Sequence, residues 1–226
     1  MDEGDTLSIE KMIQRAGVSY AGFGLVYEKF VFSEIALRFV HELGLKTICE
    51  YPANNLMGNN SDVFQRCEIT RASDATKLAG KFDLVWNFCE FEQARDPVRL
   101  IETAAELSER FVLIVTQNRR NLGVMIHLLY HALRRVPWDH GSVSRMSFKA
   151  VKFAIEKLNA EVVETGAFDI PWFILDVYET GRFLRRITFD AGTNLQSMKK
   201  SMFEGWPRWT RFWLAHHHYV LFRVLK

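Results

Sequence analysis

Apolar residues recur along this chain in two rhythms, and the rhythms alternate. From Phe30 to Leu43 (FVFSEIALRFVHEL) they return every three or four positions, which is the spacing of a helix face, and Gly44 is a natural stop. Thr47–Tyr51 is short and β-prone and ends at Pro52. Residues 52–61 (PANNLMGNNS) form a loop by composition, and Cys67–Arg71 (CEITR) supplies one further strand. Phe82–Phe88 (FDLVWNF) and Phe111–Val115 (FVLIV) are unbroken apolar runs of strand length. Between them Pro97, placed where proline suits a first helical turn, opens a helix to about Ser108. Leu122–Leu133 is apolar on most faces and is predicted helical. Ser147 caps a helix over Phe148–Leu158, Ala160–Glu164 is a strand, Trp172–Arg186 a helix and Tyr219–Val224 a closing strand. Apolar strands alternating with helices predict an α/β protein with a mostly parallel sheet covered on both faces.

Composition narrows this to a single unit. The chain has 226 residues, 48% of them hydrophobic and 25% charged, with no repeat, low-complexity segment or linker. One domain over residues 1–226 is expected, with 1–29 an amino-terminal extension and 187–226 a basic, aromatic segment that completes the sheet. Cys49, Cys67 and Cys89 are far apart and make no CxxC pair, which excludes a zinc knuckle and a secreted disulfide framework. The acidic start, Met1-Asp2-Glu3-Gly4-Asp5, is unlike a signal peptide, and no long apolar run is free of charge. A soluble, cytoplasmic protein is the expectation.

Charge is uneven although the net is only +2. From Arg182 to Lys226 nine Lys/Arg stand against Asp190 and Glu204, a balance of 9 − 2 = +7, so residues 1–181 carry −5. Trp206, Trp209, Phe212 and Trp213 lie among Arg208 and Arg211. Such a segment attracts an anionic surface or an acidic protein, or it simply completes the core with a solvated basic rim.

In an open α/β sheet ligands bind beyond the carboxyl ends of the strands. That rule selects the loops Glu50–Ser61, Thr70–Thr76, Asn87–Asp96 and Thr116–Asn121. Glu50 is a carboxylate at a strand end, able to accept hydrogen bonds from a ribose or from loop amides. Asn54, Asn55, Asn87 and Asn118 suit tight turns, because asparagine enters left-handed backbone conformations more readily than most residues. His140, in the Trp138-Asp139-His140 loop, is a candidate general base or a loop cap. His216-His217-His218 is no metal tract, since neighbours on a strand point to opposite faces. No Gly-x-Ser-x-Gly elbow or Walker-type phosphate loop occurs.

The run Lys81–Phe88, then Arg95-Asp96-Pro97 and a helix into Phe111–Val115, resembles the second half of class I S-adenosylmethionine-dependent methyltransferases. His140 with Ser147-Phe148, the strand at 160–164 and Phe168-Asp169-Ile170-Pro171-Trp172 is similar to that family's small-molecule members. The resemblance implies a Rossmann-like sheet of seven strands whose last, Tyr219–Val224, is antiparallel. It also implies S-adenosylmethionine as cofactor, with Glu50, Asn55, Gly58, Asp74, Asn87 and Phe88 on the cofactor side and His140 on the side of a small or lipid-like acceptor. Two departures stand out. The family's alternate glycines after the first strand are here Pro52, Asn54 and Leu56, and the first glycine is Gly58. Residues 51–81, the 31 between Glu50 and Phe82, hold one strand–helix unit where the family fits two. Two readings stay open: an enzyme moving a methyl group, or a degenerate fold kept as a binding or regulatory subunit.

Overall fold

The computed structural model describes residues 35–53, 67–168 and 208–225, together with Phe32. The predicted helix at Trp172–Arg186, the candidate site residues Asn55 and Gly58, and the side chains of Arg208 and Arg211 lie outside the described residues.

Six strands form one sheet: β1 (Thr47–Glu50), β2 (Glu68–Arg71), β3 (Phe82–Phe88), β4 (Ser108–Gln117), β5 (Ala160–Phe168) and β6 (His217–Val224). Their order is β2-β1-β3-β4-β6-β5. β6 runs antiparallel to both β4 and β5, and the other pairings are parallel. The expected antiparallel last strand is therefore present. The expected seventh strand is not found among the described residues, which between β1 and β3 hold β2 and a short 3-10 turn, Ala75–Lys77.

The helices are α1 (residues 35–43), α2 (Pro97–Leu107), α3 (Leu122–Arg134), α4 (Phe148–Ile155) and α5 (Arg208–Leu214). Their ends have local causes. Gly44, at φ 62, terminates α1, and Leu45 N donates back to Val40 O at 3.0 Å, the six-to-one bond of a Schellman cap. Asp96 Oδ1 accepts from Val98 N and Arg99 N at 3.1 and 3.0 Å, with Pro97 opening α2. Asn121 and Ser147 cap α3 and α4 in the same way.

Alternation along the strands splits the core between the two faces of the sheet. Ile48, Leu84, Trp86, Phe111, Leu113 and Leu221 meet Phe32, Ala36, Phe39 and Val40 of the α1 segment. Cys49, Val85, Val112, Ile114, Val220 and Phe222 point the other way, onto Leu100, Ile101 and Ala104 of α2 and Val151, Ala154 and Ile155 of α4. Phe82 joins this second face through a register shift between Phe82 and Leu84. At the far edge Tyr219 folds over Gly166 and donates to Glu164 Oε1 at 2.6 Å, which also takes the Arg38 guanidinium. Among the described residues no helix is long and apolar enough to cross a membrane.

Candidate functional site

Burial of polar groups is costly and has to be compensated, so where it is concentrated is informative. Among the described residues, Glu50, Asn87, Glu92, Thr116, Asn118, Asn121 and His216–His218 are all buried. Every one lies at the edge formed by the carboxyl ends of β1, β3 and β4 and the amino end of the reversed strand β6. Of the other buried polar residues, Ser108 opens β4 and His131 lies on α3. The chain leaves β1 for β2 on one side and returns to β3 on the other, so the switch point falls between β1 and β3.

Glu50 closes β1 with its side chain 1% exposed, and its Oε2 accepts from Arg71 Nε at 3.1 Å. The two are register partners on adjacent strands. Beyond Glu50 the chain is tied down on both sides: Tyr51 N donates to Trp86 O, and Ala53 N to Ala72 O. Pro52, where the resemblance implied glycine, follows a cis peptide bond. Asp74, past the end of β2, caps the 3-10 turn by accepting from Thr76 N at 3.0 Å and Thr76 Oγ1 at 2.7 Å. The Thr76 hydroxyl bond holds its carboxyl below the usual range, and the group is open to solvent.

At the end of β3 the side chains turn inward. Asn87 Nδ2 donates to Tyr51 O at 3.2 Å, bridging the switch point, and its Oδ1 accepts from Glu90 N at 3.3 Å. Phe88 packs on Phe32 and His217. Both side chains are buried, so β3 offers a ligand its backbone and its turn. Cys89 makes that turn at φ 57, unusual for a residue with a side chain.

Glu92, three residues on, is 1% exposed. Its Oε2 accepts from Thr116 Oγ1 and its Oε1 from Gln117 N, both at 3.1 Å. Burial pushes its pKa up to about 7, against the pull of those bonds. The loop that carries His140 lies against it: Ser142 N donates to Glu92 O at 2.8 Å, and a Cβ on Gly141 would stand 2.6 Å from the same oxygen. Sequence reasoning placed Glu92 in a ligand-edge loop but did not single it out.

Asn118 and Asn121 tie this edge to α5. Asn118 Nδ2 donates to Ala215 O at 2.8 Å, and Asn121 Nδ2 to Leu214 O at 2.5 Å. The histidine tract divides between the faces of the sheet, as the strand geometry predicts. His217 stacks on Phe168, while His218 stacks on Phe212 and pairs through Nε2 with Phe212 O. Burial lowers His217 well below the ordinary value and His218 to about 4, so both are neutral at physiological pH. The cysteines carry no disulfide, and burial pushes the Cys49 thiol up to about 12, which makes it a poor nucleophile.

His140 is half-buried, with Asp139 Oδ1 3.3 Å from its Nε2. It stands beside His127 and His131 of α3 and the indole of Trp138. The two helix histidines were missed because the segment reads as an apolar helix. The signal was the four-residue spacing in HLLYH, which puts both on one face.

No protein-family profile and no curated protein matches the chain. Among solved structures, magnesium protoporphyrin IX methyltransferase (ChlM) from Synechocystis PCC 6803 with bound SAH is similar over 92% of this chain and 89% of that one. Its TM-score is 0.55 at 10% identity. The plantazolicin methyltransferase BpumL, in complex with a monoazolic desmethylPZN analog and SAH, covers 96% and 91%, with a TM-score of 0.49 at 9% identity. At 10% identity the likeness to the first of these speaks to the backbone alone. The chain has the Rossmann-like fold of the class I S-adenosylmethionine-dependent methyltransferases.

Proposed function

We propose that this chain is an S-adenosylmethionine-dependent methyltransferase acting on a small or lipid-like acceptor. The observation that carries the reading is the concentration of buried polar side chains on the ligand edge of a methyltransferase sheet. The donor set fits the cofactor there: the Glu50 carboxylate flanks the switch point, and the Asp74 carboxylate stands beyond the neighbouring strand, open to solvent. When bound, S-adenosylmethionine supplies a methyl group activated on a sulfonium. Glu50 and Asp74 would accept hydrogen bonds from its sugar and amine groups, and Asn55 and Gly58 are the further residues assigned to the cofactor. Asn87 and Phe88 form the floor by fixing the β3 turn. His140, next to Asp139, orients the acceptor and receives its proton.

Calorimetric titration of the purified protein with S-adenosylmethionine and S-adenosylhomocysteine tests this. Micromolar binding is expected, weakened more than tenfold in Glu50→Ala. Because that change also leaves Arg71 without its carboxylate partner, Glu50→Gln is measured alongside, and it preserves size while removing the charge. Absence of binding at millimolar ligand, or unchanged affinity in both variants, refutes the assignment.

A further inference from the structure

We propose that His127, His131 and His140 form a site for a divalent transition-metal ion, Zn2+ in the first place, with one coordination position left open. The proposal does not depend on the methyltransferase reading. It goes beyond it, to a second ligand held at the acceptor end.

The three rings converge. His127 and His131 are one turn apart on α3, with their Nε2 atoms 3.0 Å from each other, and His140 reaches them from the following loop. One ring nitrogen from each lies within 4.8 Å of the other two. Two imidazole nitrogens bound to one tetrahedral Zn2+, each at roughly 2.0–2.1 Å, are separated by roughly 3.3 Å. The helix pair is thus within a few tenths of an ångström of ligand spacing, and a small movement of the loop brings in the third ring.

The hydrogen bonds agree with this geometry. His131 Nδ1 lies 2.9 Å from Pro137 O and 3.3 Å from Val136 O. Carbonyl oxygens only accept, so Nδ1 carries a hydrogen, and Nε2, the nitrogen that faces His127, is the one placed for a metal. Metal-binding histidines characteristically have their far nitrogen held in this way by a carbonyl or a carboxylate. Asp139 stands in a similar relation to His140 Nε2, at 3.3 Å.

The walls of the site are set as well. Trp138 lies with its ring centroid 4.8–5.6 Å from those of all three histidines, and its indole N–H is committed to Gly141 O at 2.7 Å. An all-imidazole set favours zinc, copper, nickel or cobalt over magnesium or calcium. Three protein nitrogens leave a fourth position for water or an anionic group of a ligand. His127 and His140 are only half-buried, so that position is reachable from solvent. A bound ion ties the loop at 137–146 to α3, and the same loop rests on Glu92 through Ser142 and Gly141. With the ion bound, His140 is its ligand and does not receive the proton; its part on the acceptor side is then to hold the ion.

The test uses untagged protein, stripped with a chelator and kept free of S-adenosylmethionine, so that its outcome is separate from that of the cofactor titration. Cobalt(II) is titrated and the visible absorption of the four-coordinate ion followed, then Zn2+ is added in competition and measured by calorimetry. One equivalent is expected, with a rise in unfolding temperature. Zn2+ affinity should fall at least 100-fold in His131→Ala and His140→Ala and stay unchanged in His41→Ala, an exposed histidine on α1. His140→Ala lies in a loop and keeps the test decisive if the buried His131 variant fails to fold. Lack of a cobalt spectrum with no Zn2+ binding, or binding retained in His140→Ala, overturns the proposal.

Discussion

Glu92→Gln isolates the cost of keeping a carboxyl inside the ligand edge. In the folded protein Glu92 titrates at about 7, against an ordinary value of 4.5. The folded state therefore holds a proton that the unfolded chain has already lost over that interval. Stability from this group is complete below pH 4.5, falls as pH rises, and is gone above about 7. A shift of about 2.5 pH units corresponds to about 3 kcal/mol at 1.36 kcal/mol per unit. Glutamine is the suitable replacement: its carbonyl oxygen can accept from Gln117 N, its amide can donate to the Thr116 hydroxyl, and it carries no charge at any pH. His217 and His218 act in the opposite sense. Their lowered values mean that stability is lost as pH falls below 6.5, so the wild-type profile alone mixes the two effects. The difference between variant and wild type removes the histidines. Urea unfolding followed by tryptophan fluorescence from pH 4.5 to 8.5 should show Glu92→Gln gaining on the wild type by about 3 kcal/mol across the range, mostly between pH 5 and 7. A difference constant to within about 0.5 kcal/mol would refute the idea that burial holds this proton.

Three other perturbations probe the frame. Gly166→Ala places a Cβ 2.3 Å from the Tyr219 ring, which Glu164 and Arg38 hold in position, and should cost about 1–3 kcal/mol by thermal unfolding. In a Tyr219→Ala background the same change should cost much less, because the obstruction is gone. Asp96→Ala removes both cap bonds of α2 and should cost about 1 kcal/mol, with Asp96→Asn recovering most of it. Ile101→Ala opens a cavity between α2 and the sheet at a fully buried position, for about 2–5 kcal/mol by denaturant titration.

The frame was largely legible in the sequence because its signals are local. The apolar run Phe82–Phe88 is the strand to the residue, and Pro97 and Ser147 open helices where their chemistry requires. The ends were less legible where packing overrides pattern. β4 begins at Ser108 rather than Phe111, because Ser108 pairs in register with Phe82 across a neighbouring strand. β6 begins at His217, since stacking on Phe168 and Phe212 lets histidines occupy strand positions that composition reads as polar. The seventh strand was an expectation of the resemblance, whereas counting residues from Glu50 to Phe82 pointed to a single strand, as observed among the described residues. Among the described residues β2 is the edge strand, and charged Glu68 and Arg71 at its two ends discourage pairing with another chain.

The site is harder to read, for a physical reason. Asparagine at a strand end serves a ligand and a turn with the same amide, and only partners decide between them. Asn87, Asn118 and Asn121 each spend their side chains on backbone carbonyls, so they shape the edge from beneath. Glu50 and Asp74 remain as carboxyl groups at the switch-point side, while the histidines and Glu92 gather beyond β3 and β4. What joins that second group is one loop. Trp138 packs among the histidines and donates to Gly141; Gly141, at φ 85, passes so close to Glu92 O that only a missing Cβ allows it; and Arg145 reaches back to Ala94 O. Sequence distance hides this arrangement, since residues 92, 127 and 140 share no motif. The fold assembles it because the turn after β3, helix α3 and the loop after it all meet at the same end of the sheet. A side chain larger than hydrogen at Gly141 would push the loop off Glu92, admit water to the carboxyl and draw its pKa back towards 4.5. Gly141→Ala should therefore flatten the pH dependence that Glu92→Gln abolishes, through hydration rather than loss of the acid.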